Sequence, residues 1–354
     1  MQNVIMVGCD LHDKNMLLKI AVNRDSSVQK IVGNTASERK VLIEELKVQA
    51  QKIGAKEILF AYEASGLGYT LHDELCAAGI DCRVLAPSKM VQSNKQRSNK
   101  TDAKDAEYIL ELLRAYKLAG NRLPQVTVPN AQQRDDQERV RGRDDLTRKQ
   151  TRLKAQIRAL LKRNGIEKRA DLGSSWTQKW RAYLDGLCKK GLAAGAQSQL
   201  SSLVRQLANV CEEIALCDAD LRKLARTPRH RKQIKALTAM AGIGIFTALT
   251  FLVEMGDLKR FKNRRQVGSY AGLAPSSHES GKIDDRKGHI TRQGPSRLRR
   301  VLCQAVWACI RSDPKEAAFY EGLKAKNAGK AKIGVVAVMR RMLIKMWHKA
   351  LEAA

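Results

Sequence analysis

The chain has 354 residues, enough for two or three domains with real cores, and its 65 Lys and Arg against 36 Asp and Glu leave a formal charge of +29. An excess of that size, spread over most of the chain, excludes an ordinary near-neutral enzyme surface. It points to a polyanionic partner, most simply nucleic acid, rather than to a membrane surface. Aromatic residues make up only 5%, which argues against a base-stacking platform for single strands, so phosphate contacts and salt-dependent binding are expected.

In chain order, NVIMVGC (3–9) is a short apolar run that ends at Asp10 and reads as a buried strand. MLLKIAV (16–22) and VQKIVG (28–33) read as two further strands joined by the turn NRDSS. Residues 36–52 have helical apolar spacing and stop near Gly54. EILFAYEASG (57–66) is a strand running into Glu63 and a small-residue turn, followed by a helix over about 68–79 and a strand at 82–86. The stretch SNKTDAKDAEYILELL (98–113) then begins an amphipathic helix. The order β-β-β-α-β-α-β-α predicts an antiparallel meander extended by parallel strands, a mixed sheet flanked by helices.

Residues 118–133, with two prolines and polar turn residues, read as a linker. From 134 to 164 Leu146, Leu153 and Leu160 fall at heptad spacing, with Ile157 and Leu161 in the same stripe and Arg and Lys on the other faces, as in an amphipathic or coiled-coil helix. A second long helical pattern at 197–226 suits an antiparallel hairpin, and so an arm. After Pro228, ALTAMAGIGIFTALTFLV (236–253) carries no charge. Helix, GIG turn, helix explains it better than a membrane span. On that helix-hairpin-helix reading, Gly242 and Gly244 allow the tight turn and the free N–H groups beyond it grip a phosphate. A helix PSRLRRVLCQAVWACIRS, which Ser296 would cap, and a final basic amphipathic helix over 332–352 complete the chain.

Eight scattered cysteines, none in a C-x-x-C pair, read as reduced thiols rather than a zinc site or a disulfide framework. The first residues lack a basic start followed by an apolar run, so no signal peptide is expected.

Four carboxylates carry the chemistry. Asp10 and Glu63 end two strands, while Asp102 and Asp105, three apart, share one face at a helix start. Each has a plainer reading: a loop-start aspartate, a solvent-facing glutamate, two helix-start residues suiting the dipole. Brought together, they would repel one another strongly unless they held cations, and hard oxygen donors suit Mg²⁺, with Mn²⁺ a possible substitute. Lys100 and Lys104 would then neighbour phosphate or carboxylate.

This frame is the ribonuclease-H-like arrangement, and its Asp–Glu–Asp–Asp set resembles the Holliday-junction resolvase version of it. GCDLHDKN, YEASGLGY, SNKTDAKDAEYI, the GIG turn, QVGSYAGLAP, and ESG followed by GHITRQGPSRLRR resemble the DEDD transposases of the insertion-sequence-110 family. That family includes Piv-type invertases and RNA-guided bridge recombinases. The resemblance implies a RuvC-like α/β domain over 1–117, a linker over 118–133, an all-α coiled-coil arm over 134–228, and a mainly α transposase domain with a helix-hairpin-helix over 229–354. It implies a catalytic, metal-binding tetrad at Asp10, Glu63, Asp102 and Asp105.

It also implies a serine of the last domain that attacks DNA and joins to it. The SG pair puts that role on Ser280, with Ser276, Ser277 and Ser296 as neighbouring candidates. Arg264, Arg265, Arg286, Lys287, Arg292, Arg297, Arg299 and Arg300 would contact phosphate. Pro295 departs from the family, whose members often carry a polar residue there.

The implied activity is excision and insertion of an element by site-specific recombination of donor and target duplex DNA, with a structured noncoding guide RNA and a dimeric or tetrameric assembly. The implied location is the prokaryotic cytoplasm, at the nucleoid when DNA is bound. A Holliday-junction-resolvase-like metal nuclease with no covalent step keeps the tetrad and drops Ser280. A non-catalytic architectural DNA-binding protein needs neither.

Overall fold

The structure is a computed structural model that describes residues 2–90, 101–167, 170–173, 175–277 and 287–354. The chain forms two compact units, Met1–Val128 and Pro129–Ala354.

The first unit is a mixed five-stranded sheet with helices on both faces. β1 (Val4–Leu11) is central and buried from Val4 to Cys9. β2 (Asn15–Val22) runs antiparallel to it, and β3 (Val28–Gly33) antiparallel to β2. After α1 (Ala36–Lys52), started by a Thr35–Glu38 capping box, β4 (Glu57–Glu63) lies parallel to β1 with Cys9 beside Tyr62. α2 (Thr70–Ala77) leads to β5 (Asp81–Leu85), parallel to β4, and α3 (Asp102–Ala119) closes the unit. The strand order is β3-β2-β1-β4-β5. All eight expected elements are present, with bounds within a few residues of those read from the sequence.

Side chains alternate between the two faces of a strand, and here the alternation is clean. Ile5, Val7 and Cys9 of β1, with Phe60 and Tyr62 of β4, pack under α1 and α2. Val4 and Met6 of β1, with Leu59 and Ala61 of β4, pack under Ile109, Leu110 and Leu113 of α3. Gly8 shares this second face. A Cβ built on it would lie 2.3 Å from the Ala106 carbonyl oxygen and 2.5 Å from the Leu110 nitrogen, so α3 rests on bare backbone there.

Residues 121–128, within the expected linker, instead run along β5. Leu85 bridges Gln125, the Ala86 N–H donates to the Pro124 carbonyl at 2.6 Å, and the Val126 N–H donates to the Val84 carbonyl at 2.9 Å. An exposed sheet edge satisfies its backbone groups in this way.

The second unit is helical. α4 (Ala131–Arg163) and α6 (Ala194–Ala225) form the expected antiparallel hairpin. Between them lies a helix not anticipated from the sequence, α5 (Gln178–Lys189), capped by Thr177. Its signal was legible: Trp180, Leu184 and Leu187 repeat at helical spacing. The heptad stripe of α4 (Leu153, Ile157, Leu160) is covered by these three residues and by Leu200, Leu203 and Leu207 of α6, so it is buried within the chain.

α7 (Arg231–Thr238), α8 (Ile245–Met255), α9 (Arg264–Tyr270), α10 (Ser296–Ser312), α11 (Pro314–Lys326) and α12 (Ala331–Glu352) follow. A short antiparallel pair, β6 (Pro275–Ser277) and β7 (Lys287–Ile290), comes between α9 and α10. The uncharged run 236–253 is split between α7 and α8, and among the described residues no helix is long and apolar enough to cross a membrane. Pro295, not Ser296, is the N-cap of α10, and Ser296 is the first helical residue. All eight cysteines are unpaired; Cys9, Cys82 and Cys309 are buried, whereas Cys76 is exposed.

The arm does not separate from the C-terminal helices at residue 228. Val140, Leu221, Leu224 and Ala225 belong to one core with α8, α10 and α12. Asp136, only 2% exposed, accepts hydrogen bonds from Arg229 Nη2 at 2.6 Å and His230 Nε2 at 2.9 Å. Burial raises its carboxyl pKa, but these two partners outweigh that and hold it below the usual value. A lowered folded pKa stabilises the fold above the ordinary carboxylate range, and the contribution is lost as pH falls through the folded value. Asp136→Asn is therefore expected to cost about 2 kcal/mol at neutral pH and to flatten the acid limb of the stability profile. Urea unfolding from pH 7 downwards measures both effects.

Candidate active site

β1 and β4 are parallel neighbours, so their C-terminal ends lie together. One residue beyond the Cys9–Tyr62 pair come Asp10 and Glu63. By the alternation above, both belong to the face covered by α3. α3 begins at this same end. Its sheet-facing stripe of Ala106, Ile109, Leu110 and Leu113 continues N-terminally to Asp105 and Asp102. Gly8 sets the distance, because its missing side chain lets the first turns of α3 approach β1 closely.

Thr101 is the N-cap of α3 and accepts from the Lys104 N–H at 3.4 Å. The capping role therefore falls to Thr101 and not to Asp102, which is the first helical residue with its carboxylate turned toward β1. Asp10 and Asp102 each reach the same imidazole: His12 Nε2 donates to Asp10 Oδ2 at 3.1 Å and lies 3.4 Å from Asp102 Oδ2. Asp10, His12 and Asp102 offer donor atoms all within 4.8 Å of one another. Glu63 and Asp105 stand outside that closest group.

The carboxyl of Asp10 is 17% exposed, and burial raises its pKa; Asp102 and Asp105 push the same way, while His12 pulls it down. A half-buried carboxylate that feels two others is the electrostatic setting a divalent cation relieves. The oxygen donors of Asp10 and Asp102 thus fit such an ion, with Asp105 near enough to contribute to its field.

His12 was not singled out in the sequence. In the turn after β1 its N–H donates to the Asn15 carbonyl at 2.9 Å, and its own carbonyl accepts from Asn34 Nδ2 at 2.8 Å. Arg39 Nη1 donates to Asn34 Oδ1 at 3.0 Å, and the same guanidinium forms a two-point pair with Glu74. The signal available was an imidazole two residues beyond a strand-end aspartate, which is too common to stand out alone.

The basic candidates divide by what they already touch. Arg297 pairs with Asp144 at 3.2 Å and with Asp145 at 2.9 Å, and Arg300 reaches the buried Asp144 at 3.1 Å. Arg299 donates to the Gly294 carbonyl at 2.9 Å and the Ala271 carbonyl at 3.1 Å. Arg264 and Arg265 are exposed at the start of α9, and Arg292 is exposed with a left-handed backbone, φ 55°. Lys104 is exposed on α3.

Gly242 has φ 79°, and a Cβ there would lie 2.3 Å from the Ala305 carbonyl oxygen. Close packing on α10 thus accounts for that glycine. Gly244 is exposed at the start of α8. Lys287 lies in β7. Lys100, Ser280 and Arg286 fall outside the described residues, Ser280 and Arg286 in the stretch bracketed by β6 and β7.

Comparison with known proteins spans both units. Residues 7–165 match the family model for DEDD transposases of IS110, described as a transposase, and residues 234–321 match that described as "Transposase IS116/IS110/IS902 family". The first interval contains all four carboxylates, the second the GIG turn and Ser280. The putative transposase y4rJ of Sinorhizobium fredii is 29% identical over 300 residues, 80% of this chain and 75% of that one. The pilin gene-inverting protein of Moraxella bovis is 32% identical over 118 residues, 33% of this chain and 36% of that one. Among solved structures, T. thermophilus RuvC in complex with a Holliday junction substrate aligns with a TM-score of 0.26 at 9% identity, over 35% of this chain and 99% of that one.

Proposed function

Because the chain belongs to the IS110-family transposases, enzymes of DNA strand transfer, we propose that Asp10, Glu63, Asp102 and Asp105 form its catalytic centre and hold divalent metal, Mg²⁺ or Mn²⁺. The observation that carries this reading is the convergence of strand parity, parallel register and the α3 start on one end of one sheet face. When bound, the metal would polarise the phosphate and favour an oxygen nucleophile. The chain's own part is to orient the carboxylates and present the backbone phosphate to them. If excision of a cognate element from plasmid DNA persists undiminished in excess EDTA, the metal reading is wrong, and an architectural role without catalysis gains ground.

On the same reading, Ser280 is the nucleophile. Its hydroxyl oxygen bonds to a DNA phosphorus, the hydroxyl proton is released, and one strand oxygen departs and takes up a proton. Rejoining reverses these steps. Ser280→Ala is expected to abolish the covalent protein–DNA adduct on a cognate substrate, detected as a shifted band after denaturing electrophoresis, and to lower recombination by at least about a hundredfold. An adduct that survives in Ser280→Ala moves the role to Ser276, Ser277 or Ser296. Cleavage with no adduct in the parent protein returns the enzyme to a resolvase-like metal nuclease.

The partners proposed are donor and target duplex DNA, with a structured noncoding RNA that chooses sequence by base pairing. A net charge of +29 supports a protein that carries both polyanions. Arg264, Arg265, Arg292, Lys104 and the α8 start at Gly244 are the phosphate contacts favoured, because they are exposed. Assembly into a dimer or tetramer would let Ser280 of one copy reach the carboxylates of another.

A further inference from the structure

We propose that His12 supplies a nitrogen ligand to the carboxylate centre, and that this tilts the centre toward manganese and other first-row transition ions over magnesium. The inference rests on the metal reading of the four carboxylates and adds to it a residue and a metal preference. Two donors bound at right angles to one ion, each about 2.1 Å from it, lie about 3.0 Å apart. His12 Nε2 stands 3.1 Å from Asp10 Oδ2 and 3.4 Å from Asp102 Oδ2, close to that spacing on both sides. The imidazole is therefore already where an adjacent ligand of the same ion belongs.

The backbone that carries it is fixed from several directions. His12 is tied to Asn15 across the β1–β2 turn and to Asn34, and Asn34 is held in turn by Arg39, whose guanidinium is itself paired with Glu74. Asn34 N–H also donates to the Lys14 carbonyl at 3.0 Å, closing the turn. The ring itself is 47% exposed and so accessible to an ion from solvent. Its place is thus set by the fold and needs no ion to arrange it.

Ligand softness gives the preference its direction. Magnesium takes oxygen donors and keeps much of its water, whereas first-row transition ions gain from an imidazole nitrogen, zinc and cobalt strongly and manganese, at the low end of the Irving–Williams order, more modestly. A centre of four carboxylates alone would discriminate weakly between Mg²⁺ and Mn²⁺. One imidazole among them lowers the free energy of the transition-metal form selectively.

The competing account is that His12 is only a hydrogen-bond donor to Asp10 and Asp102. Removing it would then change affinity for both ions alike, and Mn²⁺ bound to the parent would show no nitrogen coupling. The test uses the intact chain with Mn²⁺ alone as the probe. Free Mn²⁺ is counted by electron paramagnetic resonance, nitrogen coupling to bound Mn²⁺ is read by the pulsed method, and Mg²⁺ affinity is obtained by competition. His12→Ala and His12→Asn are compared with the parent, with Asp10→Asn as the control that disables the centre.

Parent-bound Mn²⁺ should show nitrogen coupling that both His12 variants lack. Their Mn²⁺ affinity should fall about tenfold or more, and their Mg²⁺ affinity should change by less than about threefold. Nitrogen coupling that persists in the His12 variants, or is absent from the parent, overturns the assignment. So does unchanged or increased affinity for both ions. If the parent binds no Mn²⁺, or Asp10→Asn binds it as well as the parent, the carboxylate centre itself fails and His12 fails with it.

Discussion

Asp10→Asn is expected to lower DNA strand transfer by about a thousandfold or more while leaving the protein at least as stable as the parent. The two effects have the same origin. The Asp10 carboxyl is pushed above its ordinary pKa by burial and by Asp102 and Asp105, and only His12 offsets them. Asparagine keeps the size and shape of the side chain and removes the repulsion. It gives up one hydrogen bond from a ring that is nearly half exposed. Stability should therefore hold or rise slightly, as is common where a functional site keeps like charges together.

The loss of function follows from the same charge. Stabilising charge on a transferring phosphoryl group through a held metal is worth several kcal/mol, and about 4 kcal/mol corresponds to a thousandfold in rate. Strand-transfer assays on cognate DNA, paired with thermal melting, separate the effects. Activity within tenfold of the parent would remove Asp10 from the catalytic centre. A large fall in melting temperature would make the lost activity a folding defect.

Gly8→Ala should do the reverse, acting on structure first and on chemistry in consequence. The added Cβ would meet the Ala106 carbonyl oxygen at 2.3 Å and the Leu110 nitrogen at 2.5 Å. Both are backbone atoms of a helix, so no side chain can swing aside. α3 must lift from β1, and overpacking of this kind costs about 3 kcal/mol at the upper end of its usual range. The same movement carries Asp102 and Asp105 away from Asp10, so strand transfer should fall by about a hundredfold even in the fraction that remains folded. Far-UV circular dichroism with urea unfolding tests the first expectation, and specific activity per folded molecule tests the second. Gly186→Ala, within α5, is a fitting control, since a Cβ there meets nothing within 4 Å. If Gly8→Ala folds and acts like the parent, α3 is not seated on β1 as described.

Most of the first unit was legible in the sequence. Apolar runs and helical spacing identified all eight elements, and three strands followed by β-α alternation implied the mixed sheet now seen. The carboxylates were legible too, as residues closing strands or opening a helix. These signals are local: a period of two or of 3.6 residues is written within one segment. The arm hairpin is readable for the same reason, and the Trp180, Leu184 and Leu187 spacing of α5 is a signal of the same local kind.

What the sequence determined by itself is thus the elements, the faces they bury and the chemistry each end carries. Tertiary structure decided which charges meet. Arg297 and Arg300 looked free for phosphate, yet Asp144, more than 150 positions earlier in the chain, already engages them. Asp136 and Arg229 join the arm to the C-terminal helices in one core where the sequence marked a boundary at residue 228. Thr101 took the cap in place of Asp102, and the turn after β1 put His12 between two carboxylates. Apart from the Thr101 cap, which is local to its own helix, each outcome depends on contacts between segments remote in sequence. An ion pair forms where folding brings two side chains within a few ångströms, and no local pattern encodes that distance.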